Sequence, residues 1–503
     1  MSVFNEHHRL EVAISENVQE NIALMDGLFD KCGDIVKKEF VLQRKQGELR
    51  IYMVYIDGMV NTDQVAGMVL RPLLYEWREE EEYRPFRAFL QEEIESVDVK
   101  AVDKMDDALA GILKGDTAIF VDREAEALVV STKRFPVRGI DEAKSEQGIR
   151  GARDGFIESI RTNTALLRRR IKDPNLKMEQ GILGQRSRTD YALCYMDGLV
   201  DEQLVEHVKM RLAAFEVDGV FDSGTLEHLM EKKWYSPFPV CQSTARPDKA
   251  ASALLEGRVV LIVDNSPEAL VLPVTFPMFF QAADDYFNRW WVASFGRVLR
   301  FKAALLAIGL PGFYVAVTSF HTEVLPTKLM LAISAARTAV TFPVLIEILL
   351  MELLFELLRE AGIRLPGAMG NTIGVVGGLI VGQSAVEAHL VSTIVVIVVA
   401  LSAISAFCIP NEEFASAFRL LKFFLIVLSG IWGFYGFLMG MLVIALHLSN
   451  LSSFGVPYML PAVGGDEGDY NHLKDYILRL PSSVMYKRPI FTKDGERIRL
   501  RWK

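Results

Sequence analysis

Two stretches of this chain carry no charge over the length needed to cross a lipid bilayer, and they limit the fold more than any other feature. They run from Leu390 to Ile409 (LVSTIVVIVVALSAISAFCI) and from Phe423 to Leu446. A hydrocarbon core about 30 Å thick needs roughly 20 apolar helical residues, and both runs meet that length. Upstream of residue 290 the charges are dispersed, so the bulk figures average two unlike halves. A mean hydropathy of +0.21 with 50% hydrophobic residues is high for a soluble chain, whereas 24% charged residues is high for a membrane bundle. At 503 residues and about 150 residues per domain, roughly three units are expected.

The N-terminus, MSVFNEHHRLEVAISENVQE, lacks a basic region followed by an apolar run, so it does not read as a secretory signal, and the first half is expected in the cytoplasm. Cys32, Cys194, Cys241 and Cys408 have no CxxC spacing and no neighbouring His cluster. They read as isolated buried residues, not as a disulfide framework or a zinc site. The net charge of −9 argues against nucleic acid as a partner of the whole chain.

The first half is internally duplicated. IYMVYIDGMV (51–60) recurs as YALCYMDGLV (191–200), and DALAGILKGDTAIFVDREAEALVVSTKRFP (107–136) recurs as ASALLEGRVVLIVDNSPEALVLPVTFP (251–277) at a similar offset. Each copy reads as an apolar strand ending in Asp-Gly (Asp57-Gly58, Asp197-Gly198) and a helical stretch. A helix ending at Gly115 or Gly257 follows, then two strands around Val121-Asp122 or Val263-Asp264. Asp beside Gly or Asn is turn chemistry, and no Gly-rich phosphate loop or nucleophile elbow accompanies it. The chain therefore does not read as an enzyme and implies no cofactor or metal. Between the copies, RGARDGFIESIRTNTALLRRRI (150–171) is a helix with Arg161, Arg168, Arg169 and Arg170. Its basic face suits nucleic acid, anionic lipid, an acidic protein patch or plain solvent.

Five hydrophobic segments follow, at 301–320, 341–358, 372–388, 390–409 and 419–447. Arg297, Arg300 and Lys302 place the start of the first on the cytoplasmic side, and Pro311 is expected to kink it. The second carries Glu347, Glu352, Glu356, Arg359, Glu360 and Arg364. Glu352, Glu356 and Glu360 share a face at four-residue spacing. Carboxylates at membrane depth face a bundle interior, a watery path or a cationic partner. The bland alternative is an interfacial helix whose acids meet water, Arg359 or Arg364. Gly370, Gly374, Gly378 and Gly382 then recur every fourth residue, ahead of Gln383, Ser384 and Glu387. Such a stripe permits close helix packing or lines a narrow pore. The tail after Tyr470 holds nine basic and three acidic residues and is expected in the cytoplasm. With both ends inside, crossings must be even in number. One segment, the acidic or the Gly-rich one foremost, must then be interfacial, re-entrant or split, with four crossings the first choice and six the second.

The expected architecture is α+β and multi-domain: duplicated α/β cytoplasmic domains followed by an α-helical transmembrane bundle. It divides into an N-terminal segment (1–45), a first α/β subdomain (46–145), a linker helix (146–180), a second α/β subdomain (181–290), a helical domain (296–450) and a basic tail (451–503).

The order of SPFPVCQSTARPDKAASALLEGRVVLIVD, FELLREAGIRLP, VGQSAVEAHLVS and LSSFGVPYMLPA resembles the A-subunit family of GerA-type spore germinant receptors, as does residues 150–171. The resemblance covers the chain past about residue 45. It implies a protein of the inner spore membrane that takes part in the response to nutrients. Its partners would be a permease-like B subunit and a C-subunit lipoprotein, within a homo-oligomer that passes monovalent cations. The family motif falls on Ser243, Thr244, Arg246, Pro247 and Asp248, with Ala245 where the family has Glu, and on Arg359, Glu360 and Arg364. The intact REAGIRLP favours an A subunit over the related SpoVAF-like branch. A secondary transporter, whose acids couple to protons or cations, and a non-conducting scaffold are the competing readings. The detectable repeat lies in the soluble half, whereas transporters carry theirs in the membrane.

Overall fold

The computed structural model describes residues 12–44, 47–72, 77, 99–134, 151–364, 378, 380, 382–463, 475–481, 483–485, 487–488, 492–493, 498 and 500. The chain forms two compact units. One comprises Met1–Lys232, Cys241–Pro273 and Tyr486–Lys503, and the other Lys233–Val240 and Val274–Met485.

The first unit holds the duplication. Its first repeat contains α1 (Val18–Leu28), β1 (Ile35–Arg44), β2 (Gly47–Ile56), β3 (Val99–Val102), α2 (Met105–Leu113), β4 (Thr117–Val121) and β5 (Ala127–Val130). Its second contains α3 (Ile160–Arg170), β6 (Leu176–Leu183), β7 (Thr189–Met196), α4 (Glu202–Leu212), α5 (Ser223–Met230), β8 (Gln242–Thr244), α6 (Pro247–Leu255), β9 (Val259–Val263) and β10 (Ala269–Leu272). Both sheets are antiparallel and share one topology, β1-β2-β4-β5-β3 and β6-β7-β9-β10-β8. An antiparallel strand with one wet face alternates apolar and polar residues, but β2 does not, because both its faces are covered. Tyr52, Val54 and Ile56 pack with α1 and α2, while Ile51, Met53 and Tyr55 pack with Val65, Val69 and Trp77.

The copies agree in fine detail. Asp122 Oδ1 accepts the Val18 N–H at the start of α1 (3.4 Å), and Asp264 Oδ1 accepts the Ile160 N–H at the start of α3 (3.1 Å). Asn21 clasps Ser15 through both backbone groups, and Asn163 clasps Ile157 the same way. Asp122 and Asp264 thus cap helix starts 104 residues away. The segment 1–45 thus supplies α1 and β1 to the first repeat. The linker 146–180 supplies α3 and the first residues of β6 to the second.

The arginines of α3 find acids inside this unit. Arg168 is wholly buried and donates through Nε and Nη2 to Asp34 at 2.7 and 2.9 Å. Arg170 pairs with Asp154 at 2.6 Å and Arg161 with Asp57 at 3.5 Å. Burial alone would depress the Arg168 guanidinium, but the Asp34 charge and its hydrogen bonds outweigh that and raise it. Lys177 Nζ donates to Leu28 O and the Gly33 N–H to Met178 O, so the repeats are joined by buried polar contacts. Cys32, Cys194 and Cys241 are buried thiols, and burial pushes the Cys194 thiol upward, keeping it protonated.

The second unit is helical: α7 (Trp290–Phe320), α8 (Thr327–Arg337), α9 (Val344–Arg364), α10 (Thr393–Phe407) and α11 (Glu412–Ser449). Among the described residues, two helices, α7 and α11, are long and apolar enough to cross a membrane. The helix α7 continues through Pro311. Tyr314, Val315, Ile348, Val395, Val399 and Ile426 bring α7, α9, α10 and α11 into one core.

The 38-residue α11 is not one rod. Gly433 takes φ 61° and ψ −139°, outside the helical region. A Cβ on Gly436 would strike Leu428 O, and one on Gly440 would meet the side chains of Leu425 and Leu428. In a straight helix, 15 residues span about 22 Å, so Gly440 reaches Leu425 only because the chain folds back. The helix is a hairpin with arms 412–432 and 434–449. Of the five hydrophobic segments, the last is therefore folded into two arms.

Candidate functional site: the ionic cluster between helices

The acids of α9 meet cations contributed by α8 and α11 and a backbone N–H at the start of α10. Glu347 and Glu352 are buried, at 0% and 1% exposure. Glu347 pairs with Arg337 at the end of α8 (3.2 Å) and accepts the Ser392 N–H at the start of α10 (3.0 Å). A carboxylate that accepts a helix N-terminal N–H also meets the positive end of the helix dipole. One turn and a half further on, Lys422 of α11 donates through Nζ to Glu352 Oε2 at 2.5 Å. Glu352 Oε1 is buried with no hydrogen-bond partner among the described residues. The chain fold that makes this possible is local: Arg419 and Lys422 lie three apart on the first arm of α11, and Glu352 and Glu356 four apart on α9, so both pairs line one face.

Toward the end of α9 the cluster becomes wetter. Glu356 pairs with Arg359 at 3.6 Å and with Arg419 at 3.4 Å, and Glu412 binds both Arg359 and Arg419. Arg364 pairs with Glu360 at 2.6 Å within the exposed last turn. The three acids that share a face thus divide among three partner sets, graded from buried to exposed. Lys422, Arg337, Arg419 and Ser392 were not singled out by sequence. Their signal was faint: Lys422 is the cation just before a charge-free run, where it must find an acid.

The remaining predicted residues sit apart. Gln383 and Glu387 are exposed and hydrogen-bonded to each other at 2.8 Å. Gly370 and Gly374 lie outside the described residues. Among the described residues, a side chain on Gly378 would meet nothing within 4 Å, and one on Gly382 only Val396 at 3.8 Å. Close packing is seen instead at Gly312, against Leu425 and Ser429, and at Gly430, Gly436 and Gly440 around the hairpin. The Ser243–Asp248 part of the family motif lies in the first unit. Ser243 and Thr244 end β8, Arg246 precedes α6, Pro247 opens it, and Asp248 in its first turn binds Arg246 at 2.8 Å. Pro at the first helical position and an acid in the first turn are helix-start chemistry. Ala245 is buried and its carbonyl accepts the Phe156 N–H.

Comparison with known proteins covers nearly the whole chain. Residues 23–491 match the family described as Bacillus/Clostridium GerA spore germination protein. Spore germination protein KA of Bacillus subtilis (strain 168) is 37% identical over 97% of this chain and 89% of its own length. Uncharacterized membrane protein YfkQ of the same organism is 38% identical over 95% and 91%. Spore germination protein A1, also of that strain, is 37% identical over 94% and 95%. Among solved structures, the N-terminal domain of the A subunit of the Bacillus megaterium spore germinant receptor GerK3 is 29% identical, covering 53% of this chain and 98% of that one with a TM-score of 0.43. The chain belongs to the Bacillus/Clostridium GerA family of spore germination proteins.

Proposed function

We propose that this chain is the A subunit of a spore germinant receptor. In this reading it assembles with B and C subunits and with its own copies in the inner spore membrane, and it converts nutrient binding into the release of monovalent cations. The match over residues 23–491, with relatives aligned along about nine-tenths of both chains, carries the proposal. The helical unit crosses the membrane, while the duplicated unit and the C-terminal segment stand in the spore core. With α11 a hairpin, six hydrophobic arms satisfy the even count that both ends inside require.

The role assigned to the cluster is that of a closed-state latch. Lys422 neutralises Glu352 in the bundle, so no free carboxylate is offered to a cation while the pair is closed. Separating α9 from the first arm of α11 would expose that acid and, beside it, Glu356. Bare ions at this depth cost several kcal/mol each, which holds the pair together until binding elsewhere drives it apart.

The test is conductance of the purified chain in planar bilayers, alone and with its B and C partners, before and after adding germinant. A germinant-dependent monovalent cation current is expected. Full germination in spores with no current in any combination would overturn conduction and leave a scaffold, and proton-coupled uptake of solute would point to a transporter.

A further inference from the structure

The two repeats correspond strand for strand, but their closing contact comes from different parts of the chain. In the first repeat, the chain leaving β5 returns along the turn after β2. Val60 and Lys133 form an antiparallel bridge, the Asn61 N–H donates to Thr132 O at 2.8 Å, and the Arg134 N–H donates to Met59 O at 2.9 Å. In the second repeat the chain leaving β10 passes into the other unit after Pro273, so it is not available for this contact.

The equivalent place is nonetheless filled. Val200 forms an antiparallel bridge with Thr492, and the Lys493 N–H donates to Leu199 O at 2.9 Å. Leu199 and Val200 follow Met59 and Val60 by the same interval (199 − 59 = 200 − 60 = 140). Thr492 and Lys493 accordingly stand where Lys133 and Arg134 stand in the first copy. The glycine after the preceding helix confirms the match. A Cβ on Gly115 would lie 3.2 Å from Met59 O, and one on Gly257 would lie 3.3 Å from Leu199 O and 3.3 Å from Thr492 Cα. Both glycines hold positive φ, +91° and +82°, where a side chain is strained whatever the space.

We infer that the second repeat carries a docking site for an extended segment, and that the basic C-terminal residues of this same chain are its occupant. The chemistry of the site explains why that segment is basic. Arg488 Nε donates to Leu255 O at 2.9 Å, and Thr492 Oγ1 to Glu256 O at 3.3 Å. These carbonyls end α6, where the last C=O groups lack intrahelical partners and the dipole favours cations. Lys493 Nζ reaches Glu202 in the first turn of α4 at 2.8 Å. The Lys493 hydrogen bond and charge hold the Glu202 carboxyl below its usual range, and Glu202 in turn raises the ammonium. Just upstream, residues of the second unit are pinned independently. Asp475 pairs with Arg297 at 2.7 Å, and Ser294 Oγ exchanges hydrogen bonds with the backbone of Arg479 at 2.7 and 3.1 Å. Residues 488, 492 and 493 thus complete the second repeat within the first unit.

Double-cysteine cross-linking in the full-length chain tests this. Residues facing each other in an antiparallel bridge lie within disulfide reach. Val200→Cys with Thr492→Cys should link within one chain, as should the control pair Val60→Cys with Lys133→Cys in the first repeat. Adding Lys493→Pro removes the donated N–H and should slow the Val200–Thr492 link about tenfold, with the control pair unchanged. Lys493→Ala keeps that N–H and should change the rate less than about threefold, as an exposed pair contributes little. A free synthetic peptide of residues 484–503 should compete with the second-repeat link and not with the control. The proposal is overturned if the control links and the Val200–Thr492 pair does not, if that pair links only between copies, or if Lys493→Pro leaves its rate unchanged.

Discussion

Both units bury an ion pair, and the two pairs are built differently. In the duplicated unit, Arg168 meets Asp34 with two parallel N–H donors on two oxygens, and both side chains are sealed from solvent. In the helical unit, Lys422 meets Glu352 through one oxygen, and the other is buried without a hydrogen-bond partner among the described residues. Taking ions from water costs several kcal/mol each, and only good geometry with every lone pair satisfied recovers it. The first pair meets that condition. The second falls short by an unsatisfied carboxylate oxygen, which costs about 1–3 kcal/mol. The contrast teaches that the first pair is satisfied at both carboxylate oxygens, whereas the second is held by its charges with one carboxylate oxygen lacking a hydrogen-bond partner among the described residues.

The comparison breaks first at the Arg168–Asp34 pair. Arg168→Met keeps the volume but leaves Asp34 charged and buried between the repeats, which should cost about 3–5 kcal/mol. Chemical denaturation of the purified protein measures it. Adding Asp34→Leu should recover most of the loss, because two apolar groups leave no orphan charge. A single-variant loss under about 1 kcal/mol would mean that Arg168 and Asp34 do not hold the repeats together.

The duplication offers a finer test inside the same unit. Asn21→Ala and Asn163→Ala each remove two hydrogen bonds of a loop clasp in a buried side chain, so each should cost about 1–3 kcal/mol. The two losses should be alike if the repeats are equivalent, and additive because the sites share no partner. A strongly unequal pair of values, read from the same denaturation curves, would show that one repeat bears more of the fold.

At the latch the expected effect is on function more than on stability. Glu352→Ala should slow cation release from germinating spores by about tenfold, the size of a typical coupling energy, with the amount of protein in the membrane unchanged. Lys422→Met should act in the opposite sense and raise cation release before germinant is added, because it leaves the Glu352 carboxylate without its cation. Spores of both variants releasing cations at the normal rate would remove the latch from the mechanism.

Much of the duplicated unit was legible in the sequence, because IYMVYIDGMV and YALCYMDGLV repeat a strand and its turn. The start of each repeat was not. The clasps use Asn21 and Asn163 in flanks that share few other residues, such as Ala23-Leu24 and Ala165-Leu166, and the caps on Val18 and Ile160 come from aspartates 104 residues away. The acids of α9 stood out by their cost in an apolar helix, whereas Lys422, 70 residues from Glu352, read only as the end of a charged stretch. The hairpin was illegible for a different reason. Glycine is common in apolar helices, so Gly433 looks like Gly430 or Gly436 until its backbone angles are seen. The docked C-terminus was read as a free basic tail because its partners, the turn after β7 and the end of α6, are more than 200 residues away.

The smallest expected effect on the single chain, and the sharpest on assembly, is at Gly378. A side chain there meets none of the described residues within 4 Å, whereas one at Gly436 would collide with the backbone of Leu428 across the hairpin. Gly436→Leu should therefore disrupt the helical unit itself. Gly378→Leu should leave unfolding within about 0.5 kcal/mol, the range of surface substitutions. Any change it causes in oligomer size or in the germination response must then arise where another chain approaches that face, which is the role a stripe of small residues plays between helices in a membrane. Analytical ultracentrifugation in detergent and the germination rate read this together. Wild-type oligomer size with a wild-type response would place Gly378 in contact with lipid alone, and the glycine stripe would then have no part in assembly.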